Sequence, residues 1–315
     1  MADLNIGEIT ATTLRNYSTK IADNITNHNA LLHRLSSKDN VVPADGGEDI
    51  LEQLEYATNS TSGWYSGSEV LDTTPQDVID AANFDWKQLA GTVVIDGLTE
   101  LKNSGKERMF NLIEKRIKNL DKTLANDMAL ALYSDGTGSS GKEVGGLLHL
   151  VADDPTASSV VGGIDASTDT FWRNKFTASA TYTSANIRAA MNLAWLGVIR
   201  GIDKPDLIAT DSVMYDYYES SLQDLQRFQS EKMASAGFET IKYKSADVVY
   251  DDNCTTKRMY FLNTDYIYLR PHSDRQFKTL EERKSTNQDA CVIPIVWAGN
   301  VTCSNRSLQH VIIAA

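Results

Sequence analysis

Read from the N-terminus, the spacing of apolar residues changes several times, and each change marks a different element. Up to residue 40, Leu14, Tyr17, Ile21, Ile25, Leu31, Leu32 and Leu35 recur near helical steps among Thr and Asn, which predicts a helix-rich arm of moderate propensity that needs a partner surface. From Val41 to about Glu100 the runs become strand-like. They are punctuated by Pro43, Gly46-Gly47, a Thr/Ser/Gly-rich tip at Thr58 to Ser68, and Pro75, and they end in FDWKQLAGTVVI; this predicts a long extended excursion. Next, Met109, Ile113, Ile117, Leu120, Leu124, Met128 and Ala131 recur at three- and four-residue steps. They predict one amphipathic helix from about Ser104 to Tyr133, ~40 Å long, closed by Ser134-Asp135-Gly136.

After a Gly- and Ser-rich loop, GTGSSGKE, the following VGGLLHLV reads as extended. A second helix is predicted from about Ser184 to Arg200, carrying Ile187, Met191, Leu193, Trp195, Leu196 and Ile199. PDLIATD reads as a buried strand running into the cap of a third helix, SVMYDYYESSLQDLQRF. Beyond Gly237 the chain is strand after strand: FETIKYKSADVVYDD, RMYFLNTDYIYLRP, DACVIPIVWAGNVTC and LQHVIIAA. The class is α+β, with a mixed α/β sheet unit in its second half and no internal repeat at a fixed period.

Charge sharpens this picture. The 315 residues are 42% hydrophobic and 23% charged, with a net charge of -12, the balance of a chain able to bury a large core but not drawn to phosphate backbones or anionic lipid. The imbalance is local. Between Val41 and Glu100, twelve acids (Asp45, Glu48, Asp49, Glu52, Glu55, Glu69, Asp72, Asp77, Asp80, Asp85, Asp96 and Glu100) face only Lys87. Trp64, Tyr65, Phe84 and Trp86 sit among them. A solvated acidic loop would explain the acids alone; an excursion this long with interleaved aromatics is expected to work on a partner. Winding the long helix at about 100° per residue puts Arg108, Lys115, Lys118 and Lys122 opposite the apolar stripe, flanked by Glu107, Glu114 and Asp121.

Candidate chemistry is thin. GTGSSGKE, Gly136 to Glu143, is one residue short of the phosphate-binding pattern GxxxxGK[ST]. A phosphate loop needs a strand before the glycines, a helix after them and a hydroxyl following the lysine; here a helix precedes, and Glu143 offers a repelling carboxylate. Cys254, Cys291 and Cys303 show no CxxC pair, and five scattered histidines show no ligand spacing, so neither a disulfide framework nor a metal site is expected. Asp153-Asp154 and Asp251-Asp252 fit turn chemistry better than a cation site. Arg270, Arg275, Lys278, Arg283 and Lys284, interleaved with Asp274, Glu281 and Glu282, suit ion pairing with protein. The longest apolar run, Ala290 to Gly299, is short and holds Pro294, so no membrane span, cofactor, metal or catalytic group is expected.

The order of parts, together with DGTGSSGKEVGGLL, PDLIATDSVMYDYYESSL, GFETIKYKSADVVYDD, MYFLNTDYIYLRP and WAGNVTCSNRSLQ, resembles the major capsid proteins of tailed bacteriophages, the Hong Kong 97 type fold, over essentially the whole chain. The resemblance implies an N-terminal arm (1–40), an extended loop (41–97), a peripheral domain with a long spine helix (98–140 and 264–300) and an axial α/β domain (141–263 and 301–315). It implies self-assembly into hexamers and pentamers of an icosahedral shell around packaged double-stranded DNA, in the virion, with assembly in the host bacterial cytoplasm. A portal and, since the arm starts almost at Met1, a separate scaffolding protein are expected partners, with a decoration protein as a further one. Because Lys87 is the only lysine of the loop, cross-linking of subunits by an isopeptide bond is not expected. The inter-subunit contacts expected are Trp64, Tyr65, Trp86, Glu52, Glu55, Glu69 and Asp72 on the loop, and Arg108, Lys115, Lys118 and Lys122 on the spine. The alternatives are an encapsulin-like nanocompartment shell and, more remotely, a nucleotide-binding enzyme built on Lys142.

Overall fold

The computed structural model describes residues 29–102, 112–157, 159–222, 240–281, 283–284 and 289–315. In chain order, the first half holds α1 (Ala30–Ser37), β1 (Ile50–Glu55), β2 (Ile79–Phe84), β3 (Lys87–Asp96), α2 (Gly97–Lys102), α3 (Leu112–Ala131) and α4 (Leu147–Leu150). Then come β4 (Val160–Val161), β5 (Ile164–Asp165), β6 (Lys175–Ala180), α5 (Ile187–Val198), β7 (Leu207–Thr210), α6 (Ser212–Ser221), β8 (Thr240–Tyr243) and β9 (Ala246–Tyr250). The chain finishes with β10 (Arg258–Leu262), β11 (Ile267–Pro271), β12 (Lys278–Thr279), β13 (Arg283–Lys284), β14 (Ala290–Cys303) and β15 (His310–Ala314).

Two sheets organise the body. A six-stranded sheet runs β6-β15-β10-β7-β9-β8, with β7–β9 and β15–β6 parallel and the other pairs antiparallel. Its central strand β7, LIAT, is buried at every position, because both faces of the sheet are covered. One face meets α5 and α6, where Ile208, Val248, Phe261 and Ile312 pack on Ile187, Met191, Trp195 and Met214. The other face sends Leu207, Ala209, Val249 and Tyr260 into the main core with α1, the end of α3 and β14. The second sheet is built on the 14-residue β14, which pairs antiparallel with β3, β11, β12 and β13.

Helix α3 lies on β3, with Ile117 and Leu120 packed on Val93, Ile95 and Ile293. Gly91 permits that approach: a Cβ there would meet Leu120 Cδ1 at 2.5 Å. The expected helix from Ser104 is described from Leu112 to Ala131, about 30 Å; residues 103–111 lie outside the described residues. The arm lies outside them too, up to His28, and its described end is riveted to the body. Asn29 caps α1 by accepting from Leu32 N–H at 2.7 Å, Asp251 accepts from Ala30 N–H at 3.1 Å, and Arg34 and Lys38 reach Asp206 at 2.9 and 3.0 Å. Burial would raise the Asp206 carboxyl, but the Thr264 N–H and the charges of Lys38 and Arg34 more than offset it and hold it below the usual range.

The buried strand and cap expected at PDLIATD are both present, with Asp211 accepting from Met214 N–H at 3.0 Å. One expectation is corrected: VGGLLHLV is not extended throughout, because Leu147 and Leu150 turn into the core on the single helical turn of α4. The aspartate doublets serve turns and ion pairs. Asp251 accepts from Asn253 N–H at 3.0 Å, and Asp154 from Thr156 N–H at 3.0 Å, while Asp153 binds the Arg258 guanidinium.

Candidate functional site

Strands β1 and β2 form a two-stranded antiparallel ribbon, registered from Ile50↔Phe84 to Glu55↔Ile79. In ILEQLE the inward positions are Ile50, Glu52 and Leu54, so a carboxylate enters the core beside two aliphatics. A buried charge needs a partner. Arg270 on β11 supplies it, with Nε and Nη2 donating to Glu52 Oε1 and Oε2 at 2.8 and 3.1 Å, and Thr302 Oγ1 donates at 2.8 Å. Arg270 also lies over the Tyr268 ring, 4.9 Å from its centroid. This fork holds the ribbon to the second sheet.

Beyond Tyr56 the ribbon leaves the core. From Ala57 to Asp77 every residue is exposed except the half-buried Thr61. The tip is shaped by local hydrogen bonds: Asn59 accepts from Thr61 N–H at 2.9 Å, Glu69 from Ser66 N–H at 3.1 Å, and Asp72 from Thr74 Oγ1 and N–H at 2.6 and 2.9 Å. The Thr74 hydroxyl, then its N–H, holds the Asp72 carboxyl below its usual range. Trp64 is fully exposed, and Tyr65, Val70 and Leu71 are largely so. Val70 and Leu71 escaped the sequence reading; the signal was an apolar pair set between Glu69 and Asp72.

The expected contact residues therefore divide. Trp64, Tyr65, Glu55, Glu69 and Asp72 stand exposed on the ribbon. Glu52 is not an open acid, because Arg270 and Thr302 consume it within the subunit. Trp86 is half-buried at the ribbon's base, donating Nε1–H to Gly47 O at 3.1 Å with its ring 5.4 Å from His272. On α3, Lys118 is exposed, whereas Lys115 and Lys122, though they fall opposite the packed stripe on the helix, are half-buried. Arg108 lies outside the described residues.

GTGSSGKE does not build a phosphate cradle. Ser139, Ser140 and Gly141 are left-handed at φ 50°, 61° and 77°, and the Glu143 carboxylate covers Gly138 so closely that a Cβ there would meet it at 2.2 Å. Lys87 Nζ donates to Gly141 O at 2.9 Å, tying this turn to β3. Burial raises the Cys254 and Cys303 thiols, the latter to about 12, so both behave as packing groups. Among the described residues, no cluster of three or more His, Cys, Asp or Glu could hold a metal ion, and no helix is long and apolar enough to cross a membrane.

No family model and no curated protein matches this chain. Solved structures do. A cyanophage A-1(L) capsid subunit matches with a TM-score of 0.74 at 15% identity, over 95% of this chain and 96% of that one. The chain carries the fold of a phage capsid protein. The capsid of a native GTA particle shares it, with a TM-score of 0.67 at 10% identity over 96% and 95% of the two chains. So does the SrpI encapsulin of Synechococcus elongatus PCC 7942, with a TM-score of 0.61 at 8% identity over 97% and 94%. The likeness thus spans nearly the whole length of each chain, at identities where most side chains are replaced.

Proposed function

We propose that this chain is a major capsid protein of a tailed bacteriophage, forming hexamers and pentamers of an icosahedral shell around double-stranded DNA. The observation that carries the reading is the ribbon: from Ala57 to Asp77 every residue but the half-buried Thr61 is exposed, aromatic and acidic side chains among them, without cover from the described residues of the subunit. The capsid fold supports it. In this reading residues 1–40 are an arm, 41–97 the extended loop, 98–140 with 264–300 a peripheral domain, and 141–263 with 301–315 an axial domain. The full-length pairing of β3 with β14 argues for counting β3 with the peripheral sheet.

Ribbon and spine divide the work between subunits. The acidic excursion steers toward cations such as Lys115, Lys118 and Lys122 of a neighbour, and Trp64 and Tyr65 then supply apolar burial, about 1.5–3 kcal/mol each when covered. Lys87, the lysine of this segment, sits at its return to the body and donates to Gly141 O, which argues against its use in an isopeptide cross-link. The protein resides in the virion and assembles in the host cytoplasm, with a separate scaffolding protein, a portal and a decoration protein as partners. In this reading the protein is structural and not an enzyme; the Glu143-covered turn argues against nucleotide hydrolysis at Lys142.

The shared encapsulin fold favours a second reading, a nanocompartment shell enclosing protein cargo. One experiment separates the readings. Electron microscopy of the purified, overexpressed protein is expected to show closed shells or capsomer rings, and particles from the native source are expected to hold nuclease-protected DNA. Particles filled with an enzyme transfer the protein to the second reading, and a stable monomer at high concentration rejects both.

A further inference from the structure

Helix α5 is apolar almost all round: IRAAMNLAWLGV contains only two polar residues, Arg188 and Asn192. Ile187, Met191, Ala194, Trp195 and Val198 are buried against the six-stranded sheet. On the outer side Leu193 is 71% and Leu196 59% exposed, and the chain leaving the helix adds Ile199 at 39% and Ile202 at 94%. A helix with this pattern is normally covered on both faces. The flank beside β8 already has its cover, since Lys244 lies over the Trp195 ring at 5.3 Å and donates to Asn192 Oδ1 at 2.7 Å.

Area decides what kind of cover the outer face takes. Four such side chains present on the order of 500 Å², the size of the largest, often functional, apolar patch of a protein surface but less than the roughly 800 Å² per side of a standard two-body interface. A surface of that size works as one of several contacts on the same subunit, as in a closed ring held on two sides. Gly197 points the same way. It lies exposed in the helix, and a Cβ there would meet nothing nearer than His310 Nδ1 at 3.9 Å. The subunit's own packing does not require glycine, which is a poor helix residue, whereas close approach of another backbone does.

We infer that the outer face of α5, Leu193, Leu196 and Gly197 with Ile199 and Ile202, is a subunit–subunit contact covered by a second copy of this chain, separate from the contact made by the ribbon. The inference rests on the capsid reading. Its test uses the full-length protein carrying L193D and L196D together, beside wild type and Gly197→Ala, followed by sedimentation velocity, electron microscopy and circular dichroism. The double variant is expected to keep the wild-type spectrum while needing at least tenfold more protein to form rings or shells. Gly197→Ala is expected to melt at a higher temperature than wild type yet assemble more slowly, a split that a purely structural glycine would not give. Assembly of the folded double variant at wild-type yield overturns the inference and leaves the capsid reading standing. If the double variant fails to fold, Gly197→Ala decides alone, and wild-type assembly kinetics from it overturn the inference. Wild type that never assembles overturns the capsid reading and this contact together.

Discussion

The two ends of the β1–β2 ribbon obey opposite rules. At the base, Ile50, Leu54, Ala82 and Phe84 are buried and Glu52 is fully engaged by Arg270 and Thr302. At the tip, Trp64, Tyr65, Val70 and Leu71 are open to solvent, and the hydrogen bonds are mostly short-range turns such as Asp72 with Thr74, with Ser60 donating to Gln76 across the ribbon. A two-stranded ribbon is marginal in water by itself. The base therefore sets its direction from within the subunit, while the exposed tip needs a surface from outside. Stability and assembly should respond to different ends of one element.

The largest separation is expected at the base. Removing one partner of a buried ion pair leaves the other uncompensated, at a cost of about 3–5 kcal/mol. Glu52→Ala is therefore expected to lower the urea unfolding free energy by that order, toward the small end because Arg270 retains its stacking on Tyr268. Trp64→Ala is expected to stay within about 0.5 kcal/mol, as for other exposed sites. Equal losses from the two variants would break the comparison.

Acid should also act on the body before the tip. Burial, then the charge of Lys175, pushes the His310 imidazole down to about 4 from an ordinary value of 6.5. The unfolded chain therefore binds a proton more readily than the folded one between those values. The contribution is complete above pH 6.5, is lost as pH falls toward 4, and amounts to roughly 3 kcal/mol over the window. Urea titrations from pH 7 to pH 4 are expected to show that slope, and His310→Gln to reduce it, leaving the part contributed by His149, which burial also holds below its usual value. A wild-type curve already flat across the window would show that the ring is solvated.

Legibility in the sequence followed the range of the interactions. The β7 strand with its Asp211 cap and the α5 helix were readable because their determinants lie within a few residues. The partner of β3 was not: β14 lies some 200 residues away, and apolar strands of similar texture compete for the pairing. Glu52 was half-readable. It shares parity with Ile50 and Leu54 in ILEQLE, which marks it as inward, but its counter-charge is 218 residues distant. For Trp86, no local pattern reveals that its indole N–H meets Gly47 O and its ring lies beside His272. The outer face of α5 was hidden by its own hydrophobicity, since apolar residues on every side of a helix give no sign of which side the subunit covers.

At the tip, the expected effect moves from stability to assembly. Trp64→Ala and Tyr65→Ala each remove apolar burial of about 1.5–3 kcal/mol from any contact that covers them completely. The critical concentration for shell formation, read by light scattering, is expected to rise about tenfold or more for each, while the subunits' melting temperatures remain at the wild-type value. A threshold unchanged in the double variant would make the tip solvent-exposed in the shell as well.

The smallest effect is expected from the spine. Lys118 is exposed, and Lys115 and Lys122 are half-buried on the side of α3 away from the stripe that packs on β3. Individual ion pairs at such positions contribute roughly 0–1 kcal/mol, and salt screens them over about 10 Å at 0.1 M. Charge here acts on encounter more than on the final contact. Reversing all three to Glu sets three acids against an excursion that holds twelve acids and one lysine between Val41 and Glu100. The assembly rate at low salt is expected to fall severalfold, and added salt should narrow the gap by screening the new repulsion. Wild-type assembly should respond to salt in the opposite sense, slowing as its attraction is screened. If both proteins assemble at equal rates at every salt concentration, the ribbon docks elsewhere, and only the apolar half of the tip's role remains.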